Sequence, residues 1–129
     1  MKSFNGLLWD TKTRELKEVF IEKFEDIKDN LKCRTITGWP ANEQLYAYVD
    51  DEGLLIENNP IAAHWLDSEM NLIQPIKGNI LFVNPNVDRK GNTLSLTKEQ
   101  KQLIQQIPKQ MYYDPENDDL YPILQVIYS

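Results

Sequence analysis

The sequence is poor in residues that many enzymes and metal proteins need, with one cysteine, one histidine and five glycines among 129 residues. One cysteine cannot form a disulfide within the chain, and one cysteine with one histidine is too few for a structural zinc site. No glycine-rich phosphate loop and no Gly-x-Ser-x-Gly nucleophile elbow is present. We therefore predict a protein that is not an enzyme and has no metal or cofactor. Cys33 is interpreted as a small core residue, and His64 as a helix-surface residue or a hydrogen-bonded polar group.

Basic residues are missing from two long stretches, between Arg34 and Lys77 and after Lys109. The formal net charge is −6, which disfavours binding to nucleic-acid phosphates and to anionic membranes. The apolar runs are much shorter than the ~20 residues of a membrane span, and residues 1–9 do not resemble a signal peptide. These absences predict a cytoplasmic protein with no direct nucleic-acid or membrane partner.

What is present fits one globular domain over residues 1–129, since 41% of the residues are hydrophobic and 26% are charged. Short segments rich in β-formers alternate with turn residues and come in hairpins rather than in β-α-β units. This pattern predicts an α+β fold with a mainly antiparallel sheet of hairpins and two or three short helices.

Three segments carry helix signals. Phe24, Ile27 and Leu31 are spaced as one apolar stripe of a short helix. Asn59 and Pro60 fit the N-cap and first turn of a second helix that runs to Leu66. Thr97 and Gln100 form a capping box before the third helix, whose inner face is predicted to be Leu103, Ile104 and Ile107.

Turn residues divide the rest of the chain. Asp50 to Gly53 is predicted to be a turn with Gly53 at positive φ, followed by a strand at 54–56. Residues 112–119 are predicted to be a polar, acidic loop. Residues 121–128 are predicted to be a last strand, and Pro122 either places it at the edge of the sheet or delays its start. Such an edge could pair with a second copy and give a homodimer.

Acidic and aromatic residues share the regions that lack cations. Aromatic anchors with a charged rim are typical of protein interfaces, so we predict that a protein partner with a basic surface binds there. The candidate partner-binding residues are Tyr112, Tyr113, Asp114, Glu116, Asp118 and Asp119, together with Asp50, Asp51 and Glu52.

An alternative hypothesis is an oligomeric sponge that sequesters a nucleotide-type signalling molecule. Trp39, Tyr112 or Tyr113 would stack on the base, and the phosphates would contact basic residues. The candidate basic residues are Arg34, Lys77, Arg89 and Lys90. The long cation-free stretch counts against this alternative.

The order of motifs resembles DUF3846, a family of small proteins of unknown function from phages, plasmids and Gram-positive bacteria. The resemblance runs from about Glu15 to Leu103. It rests on Tyr-Val-Asp-Asp-Glu-Gly-Leu, Asn-Asn-Pro-x-Ala, Ile-x-Gly-x-Ile-Leu-Phe-Val and Leu-Ser-Leu-Thr-x-Glu-Gln, which carry Asp51, Glu52, Gly53, Leu54, Asn59, Pro60, Ala62, Gly78, Ile80, Phe82, Val83, Leu96, Thr97, Glu99 and Gln100. Residues 1–107 are thus the family-like core, and residues 108–129 are an acidic loop and a terminal strand.

The resemblance carries no known activity, and it implies a mobile-element setting. By analogy with other small phage-encoded proteins, it implies a binding protein that inhibits a host defence or nucleic-acid-handling protein, in the host cytoplasm if a phage encodes it. The hypothesis drawn from the residues adds how the protein would inhibit its partner. Its acidic, aromatic surface would cover a basic surface of the partner.

Overall fold

The computed structural model describes residues 2–42, 44–55, 59–66, 69 and 71–125. The described residues form nine strands, two α-helices and two short 3-10 helices at Gly53–Leu55 and Ile107–Lys109. In chain order the strands and α-helices are β1 (Phe4–Asp10), β2 (Glu15–Ile21), α1 (Phe24–Leu31), β3 (Ile36–Asn42), β4 (Leu45–Asp50), β5 (Ile61–Leu66), β6 (Leu72–Lys77), β7 (Ile80–Val83), α2 (Lys98–Gln106), β8 (Met111–Asp114) and β9 (Asp119–Gln125).

The strands form two sheets built from hairpins. The five-stranded sheet has the order β2-β1-β7-β4-β3, and the four-stranded sheet has the order β6-β5-β9-β8. All strand pairs are antiparallel except β5 with β9. The predicted α+β class and the mainly antiparallel pairing are therefore confirmed, whereas the single sheet that was predicted is in fact two sheets.

Two apolar clusters lie on opposite faces of the five-stranded sheet, because side chains alternate along each strand. Leu7 and Trp9 belong to the main cluster, which also draws residues from β4, β5, β6, β7, β9 and α2. Phe4 and Leu8 belong to the second cluster with residues of α1. Strand β7 is buried along its whole length.

Two of the three helix predictions are confirmed. In α1, Ile27 and Leu31 are buried, while Phe24 is half exposed. In α2, the Thr97 hydroxyl accepts from the Gln100 N–H at 3.1 Å, and Gln100 Oε1 accepts from the Thr97 N–H at 2.9 Å. Ile104 is fully buried, whereas Leu103 is exposed, so the inner face of α2 is narrower than predicted.

The predicted helix from Asn59 to Leu66 is wrong, because residues 61–66 form strand β5. This strand pairs with β6 on one side and β9 on the other. Register shifts in the β5–β6 pairing let both Ala62 and Ala63 be buried. Pairing on both sides outweighs a helical pattern in a six-residue segment.

The turn after β4 also differs from the prediction. Residues 53–55 form a 3-10 helix rather than a strand, and Ile56 lies outside the described residues. Gly53 does not have a positive φ, whereas Gly78 and Gly91 do. A Cβ atom on Gly53 would lie 2.8 Å from the Lys77 carbonyl oxygen. Glycine is therefore required at this position for close backbone approach.

The chain after α2 is a hairpin rather than a loop and an edge strand. Strand β8 occupies the first part of the predicted loop, and β9 lies inside the sheet between β5 and β8. The ladder with β5 begins at Ile123, so the missing N–H of Pro122 interrupts no ladder bond. The predicted edge strand, and a homodimer through it, are therefore wrong for residues 121–125, while residues 126–128 lie outside the described chain.

Candidate functional site

A cleft of about 290 Å³ opens between the two sheets. Its walls are residues 37–39 of β3, residues 49–51 at the end of β4, Gly53, Trp65 of β5 and residues 74–77 of β6. Strands β3 and β6 are edge strands of their sheets. The cleft is therefore the open mouth of the space between the sheets, and a group from solvent can enter it. We call it the inter-sheet cleft.

Two tryptophans form the aromatic wall of the inter-sheet cleft. The ring centroids of Trp39 and Trp65 are 5.7 Å apart and the ring planes are tilted by 43°. Both side chains pack against the main apolar cluster and are half-buried. Because the two rings are already in contact, a planar group would lie over the pair rather than between its members.

Both indole N–H groups are buried and have no acceptor among the described residues. A buried donor without an acceptor costs about 1–3 kcal/mol of stability. Because both nitrogens are shielded from solvent, Trp39 and Trp65 offer ring faces rather than hydrogen-bond donors to a ligand in the cleft.

Among the described residues, three charged side chains border the inter-sheet cleft, namely Asp50, Asp51 and Lys77. One oxygen of Asp50 accepts from the Glu52 N–H at 2.9 Å, which fixes that carboxylate at the rim. The side chains of Asp51 and Lys77 make no hydrogen bond or ion pair with another described residue. Two carboxylates and one ammonium give the rim a formal charge of −1.

Glu52 and Arg34 neutralise each other beside this rim. Arg34 Nη2 lies 3.0 and 2.9 Å from the two carboxylate oxygens of Glu52. Glu52 was predicted to bind a partner and Arg34 to bind a phosphate, and in the structure the two side chains bind each other. The Arg34 side chain is 84% exposed, so this is a surface ion pair that water and salt weaken.

The predicted acidic loop is the turn of the β8–β9 hairpin, residues 114–119, which we call the acidic turn. Asp114 is buried and acts as the staple of the turn. Its Oδ1 accepts from the Glu116 N–H at 2.9 Å, and its Oδ2 accepts from Asn117 Nδ2 at 2.8 Å. The hydrogen bond from the Asn117 side chain has the largest effect in lowering the pKa of Asp114, and the backbone N–H bonds lower it further.

Two other acids near the acidic turn are also engaged within the protein. Asp118 accepts a 2.6 Å hydrogen bond from the Tyr113 hydroxyl, which raises the pKa of Tyr113. Asp119 forms a 2.7 Å ion pair with Arg14, which lowers the pKa of Asp119. Glu116 and Tyr113 remain exposed.

His64 is 2% exposed, in a strand, and is not the surface or hydrogen-bonded residue expected from the sequence. Its ring packs edge-on against the rings of Tyr112 and Tyr121, at centroid distances of 5.0 and 5.2 Å. Its Nε2 is 3.2 Å from Asp114 Oδ2, but without the geometry of a hydrogen bond. Tyr112 therefore serves an internal cluster rather than an exposed face.

Arg89 and Lys90 lie in a loop beside Lys2, beyond the end of β7 that is opposite the inter-sheet cleft. In the β4–β7 register, Val83 pairs with Tyr46, whereas the cleft uses the other end of β4. The structure therefore does not bring these cations to Trp39. Cys33 is half-buried, and burial raises the pKa of its thiol to about 11.

Of the predicted site residues, the structure brings Trp39, Asp50, Asp51 and Lys77 together in one place. Trp65 and Gln74 of the same cleft were missed. Trp65 was assigned to a helix, and only the pairing of β5 with distant strands shows that it faces Trp39.

Among the described residues, no helix is long and apolar enough to cross a membrane. The same residues contain no group of three His, Cys, Asp or Glu side chains that could hold a metal ion.

A family profile described as "Domain of unknown function (DUF3846)" matches residues 1–111 of the chain. The matched part contains the whole inter-sheet cleft and ends at the first residue of β8. No curated protein and no solved structure shows significant similarity to the chain.

Proposed function

The chain belongs to the DUF3846 family, and we propose that it is a non-enzymatic binding protein that holds a basic side chain of a protein partner in the inter-sheet cleft. The observation that carries this proposal is the juxtaposition of the Trp39–Trp65 pair with Asp50 and Asp51. The proposal keeps the predicted acidic, aromatic surface and moves its centre from the acidic turn to the cleft.

The chemistry of the cleft suits a guanidinium group in particular. A cation over the face of a tryptophan gains about 0.5–1 kcal/mol when exposed and about 2 kcal/mol when desolvated. Arginine also stacks flat on an aromatic ring and donates paired hydrogen bonds to a carboxylate. Trp39 or Trp65 can supply the ring face, and Asp51 can supply a carboxylate that no described side chain engages.

The sequestered-nucleotide alternative is favoured by one observation, the presence of Lys77 in the same cleft as Trp39. Against it, Arg34 is paired with Glu52, and Arg89 and Lys90 lie at the other end of the sheet. A phosphate group would meet one cation and two carboxylates. The formal charge of −1 therefore supports a cationic ligand over an anionic one.

The family has no assigned role, so the identity of the partner is also a proposal. We propose that the partner is a host protein whose basic surface handles nucleic acid, and that the bound protein blocks that surface. A single captured side chain contributes only a few kcal/mol, so the remaining affinity would come from surfaces around the cleft.

In the direct test, a tri-arginine peptide and AMP are the probes. Binding is detected by nuclear magnetic resonance, from shifts of the tryptophan indole N–H signals. The chain has three tryptophans, and Trp9, which does not line the cleft, is an internal control. We expect the peptide to shift the Trp39 and Trp65 signals and to leave Trp9 unchanged.

The D50N/D51N variant should bind the peptide at least about tenfold more weakly, because charge-assisted hydrogen bonds are worth about 1.5–3 kcal/mol. The matched control, E116Q/D118N, removes the same charge from the acidic turn and should bind like wild type. Binding of AMP instead of the peptide would select the nucleotide alternative. Shifts with neither probe, or equal losses in both variants, would overturn the proposal.

A further inference from the structure

Strand β8 is a free edge of the four-stranded sheet. It pairs with β9, and no other described strand lies beside it. The Ile123 N–H donates to the Gln110 carbonyl at 3.1 Å, so the hydrogen-bonding positions toward β9 are 110, 112 and 114. Because these positions alternate in an antiparallel pair, the N–H and C=O groups of Met111 and Tyr113 point away from β9.

The side chains of these same two residues are exposed. Met111 is 41% exposed and Tyr113 is 53% exposed, and both lie on the same face of the strand. Leu120 is opposite Tyr113 in the register and is also exposed. The edge therefore combines unpaired backbone groups with an uncovered apolar strip.

The other sheet edges are protected in ways that β8 is not. Strand β3 contains Pro40 and β6 contains Pro75, and proline cannot donate to an added strand. Strand β2 carries Glu15, Lys17 and Glu18, which discourage pairing at an edge. Strand β8 is Met-Tyr-Tyr-Asp, with its one charged side chain buried.

Charge is distributed unequally along this edge. Lys109 precedes β8, is exposed, and makes no ion pair with another described residue. Glu116 follows β8 in the acidic turn and is also exposed. Two such edges placed antiparallel bring the basic end of one against the acidic end of the other. The edge is thus complementary to itself rather than to a uniformly charged partner.

We propose that a second copy of this chain binds at β8, in an antiparallel pairing about a twofold axis at Tyr112. Met111 of each copy then lies opposite Tyr113 of the other, and the two residues exchange backbone hydrogen bonds. Their exposed side chains cover each other, and Lys109 approaches the acidic turn of the second copy. The two four-stranded sheets become one continuous sheet.

This dimer is independent of the proposed cleft function. Strand β6, which lines the inter-sheet cleft, is at the opposite edge of the same sheet from β8. The cleft stays open in both copies, and the dimer would present two clefts to a partner. Failure of either proposal leaves the other standing.

The test is sedimentation velocity of the full chain across the micromolar concentration range. We expect the wild-type protein to move from monomer to dimer as concentration rises. Y113K places two like charges in the symmetric contact, and its self-association should be weaker by at least about tenfold. V87K is the matched control, because Val87 is 56% exposed and lies outside both sheets.

Circular dichroism and thermal unfolding of each variant check that the fold is retained. A register-specific variant, Y112C, should form a disulfide between copies, since position 112 of one copy lies directly opposite position 112 of the other in the pairing. V87C should not do so under the same oxidising conditions. A wild-type protein that stays monomeric throughout overturns the proposal. So does a dimer that Y113K and V87K affect equally.

Discussion

The inter-sheet cleft and the acidic turn are both acidic and aromatic in sequence, and they differ in what the protein does with those residues. In the acidic turn, Asp114, Asp118 and Asp119 are each bound by a neighbour within the protein. In the cleft, Asp51 has no partner of this kind among the described residues. The difference teaches that the number of carboxylates in a segment does not measure the charge it can offer to a ligand.

The two regions are also held together differently. The cleft wall depends on backbone contact, because Gly53 lies against the Lys77 carbonyl. The acidic turn depends on side-chain hydrogen bonds to Asp114. Substitutions can therefore damage one region without the other.

The largest expected effect is that of Gly53→Ala. The added methyl group would lie 2.8 Å from the Lys77 carbonyl oxygen, so the backbone must shift, at a cost of about 1–3 kcal/mol. We expect a lower free energy of unfolding in urea and weaker binding of the tri-arginine peptide. Leu55→Ala in the same turn is the control, since its side chain is highly exposed. Equal stability of both variants would contradict the close-contact role of Gly53.

The next effect is that of Asp114→Ala, which removes the acceptor for the Glu116 and Asn117 N–H groups and for the Asn117 side chain. We expect the Tm to fall by several degrees because three hydrogen bonds that hold the turn are lost. Asp51→Ala should leave the Tm unchanged, because that carboxylate makes no comparable contact. If the two variants have the same Tm, Asp114 contributes no more to stability than Asp51 does, and the structural role assigned to Asp114 is wrong.

Acidification should reveal the same difference through pH. Hydrogen bonds lower the pKa of Asp114 below its ordinary value of 3.8. A lowered carboxyl pKa stabilises the folded state above the ordinary value, and this stabilisation is lost as the pH falls below 3.8 toward the folded-state pKa. The Tm gap between wild type and Asp114→Ala should therefore be constant near neutral pH and shrink below pH 3.8. Thermal unfolding across pH measures it, and a gap that widens on acidification would contradict the assigned sign.

The features that could be predicted from the sequence are those fixed by near neighbours in the chain. The Thr97–Gln100 capping box and the apolar pair Ile27 and Leu31 need only a few residues to define them, and both are as predicted. The family resemblance was likewise carried by local motifs, and the profile match over residues 1–111 confirms it.

What could not be predicted depends on distant pairing. Residues 61–66 fit a helix by their spacing, and pairing with β6 on one side and with the distant β9 on the other makes them a strand. For the same reason nothing local places Trp65 against Trp39. The burial of Asp114 follows from the β8–β9 hairpin and its neighbour His64, which a reading of the segment as a loop could not include.

The smallest expected effect is spectroscopic and concerns the rim of the acidic turn. The Tyr113 hydroxyl donates to Asp118, and this bond raises the pKa of Tyr113 above its ordinary value of 10.0. In Asp118→Asn the acceptor loses its charge, so the pKa of Tyr113 should return toward the ordinary value. An ultraviolet titration of tyrosine ionisation, with Tyr113→Phe to identify the signal, measures the change. Since Tyr113 is exposed, stability should hardly move. An unchanged Tyr113 titration would mean that the bond does not persist in solution, and that Asp118 is as free to meet a partner as Asp51.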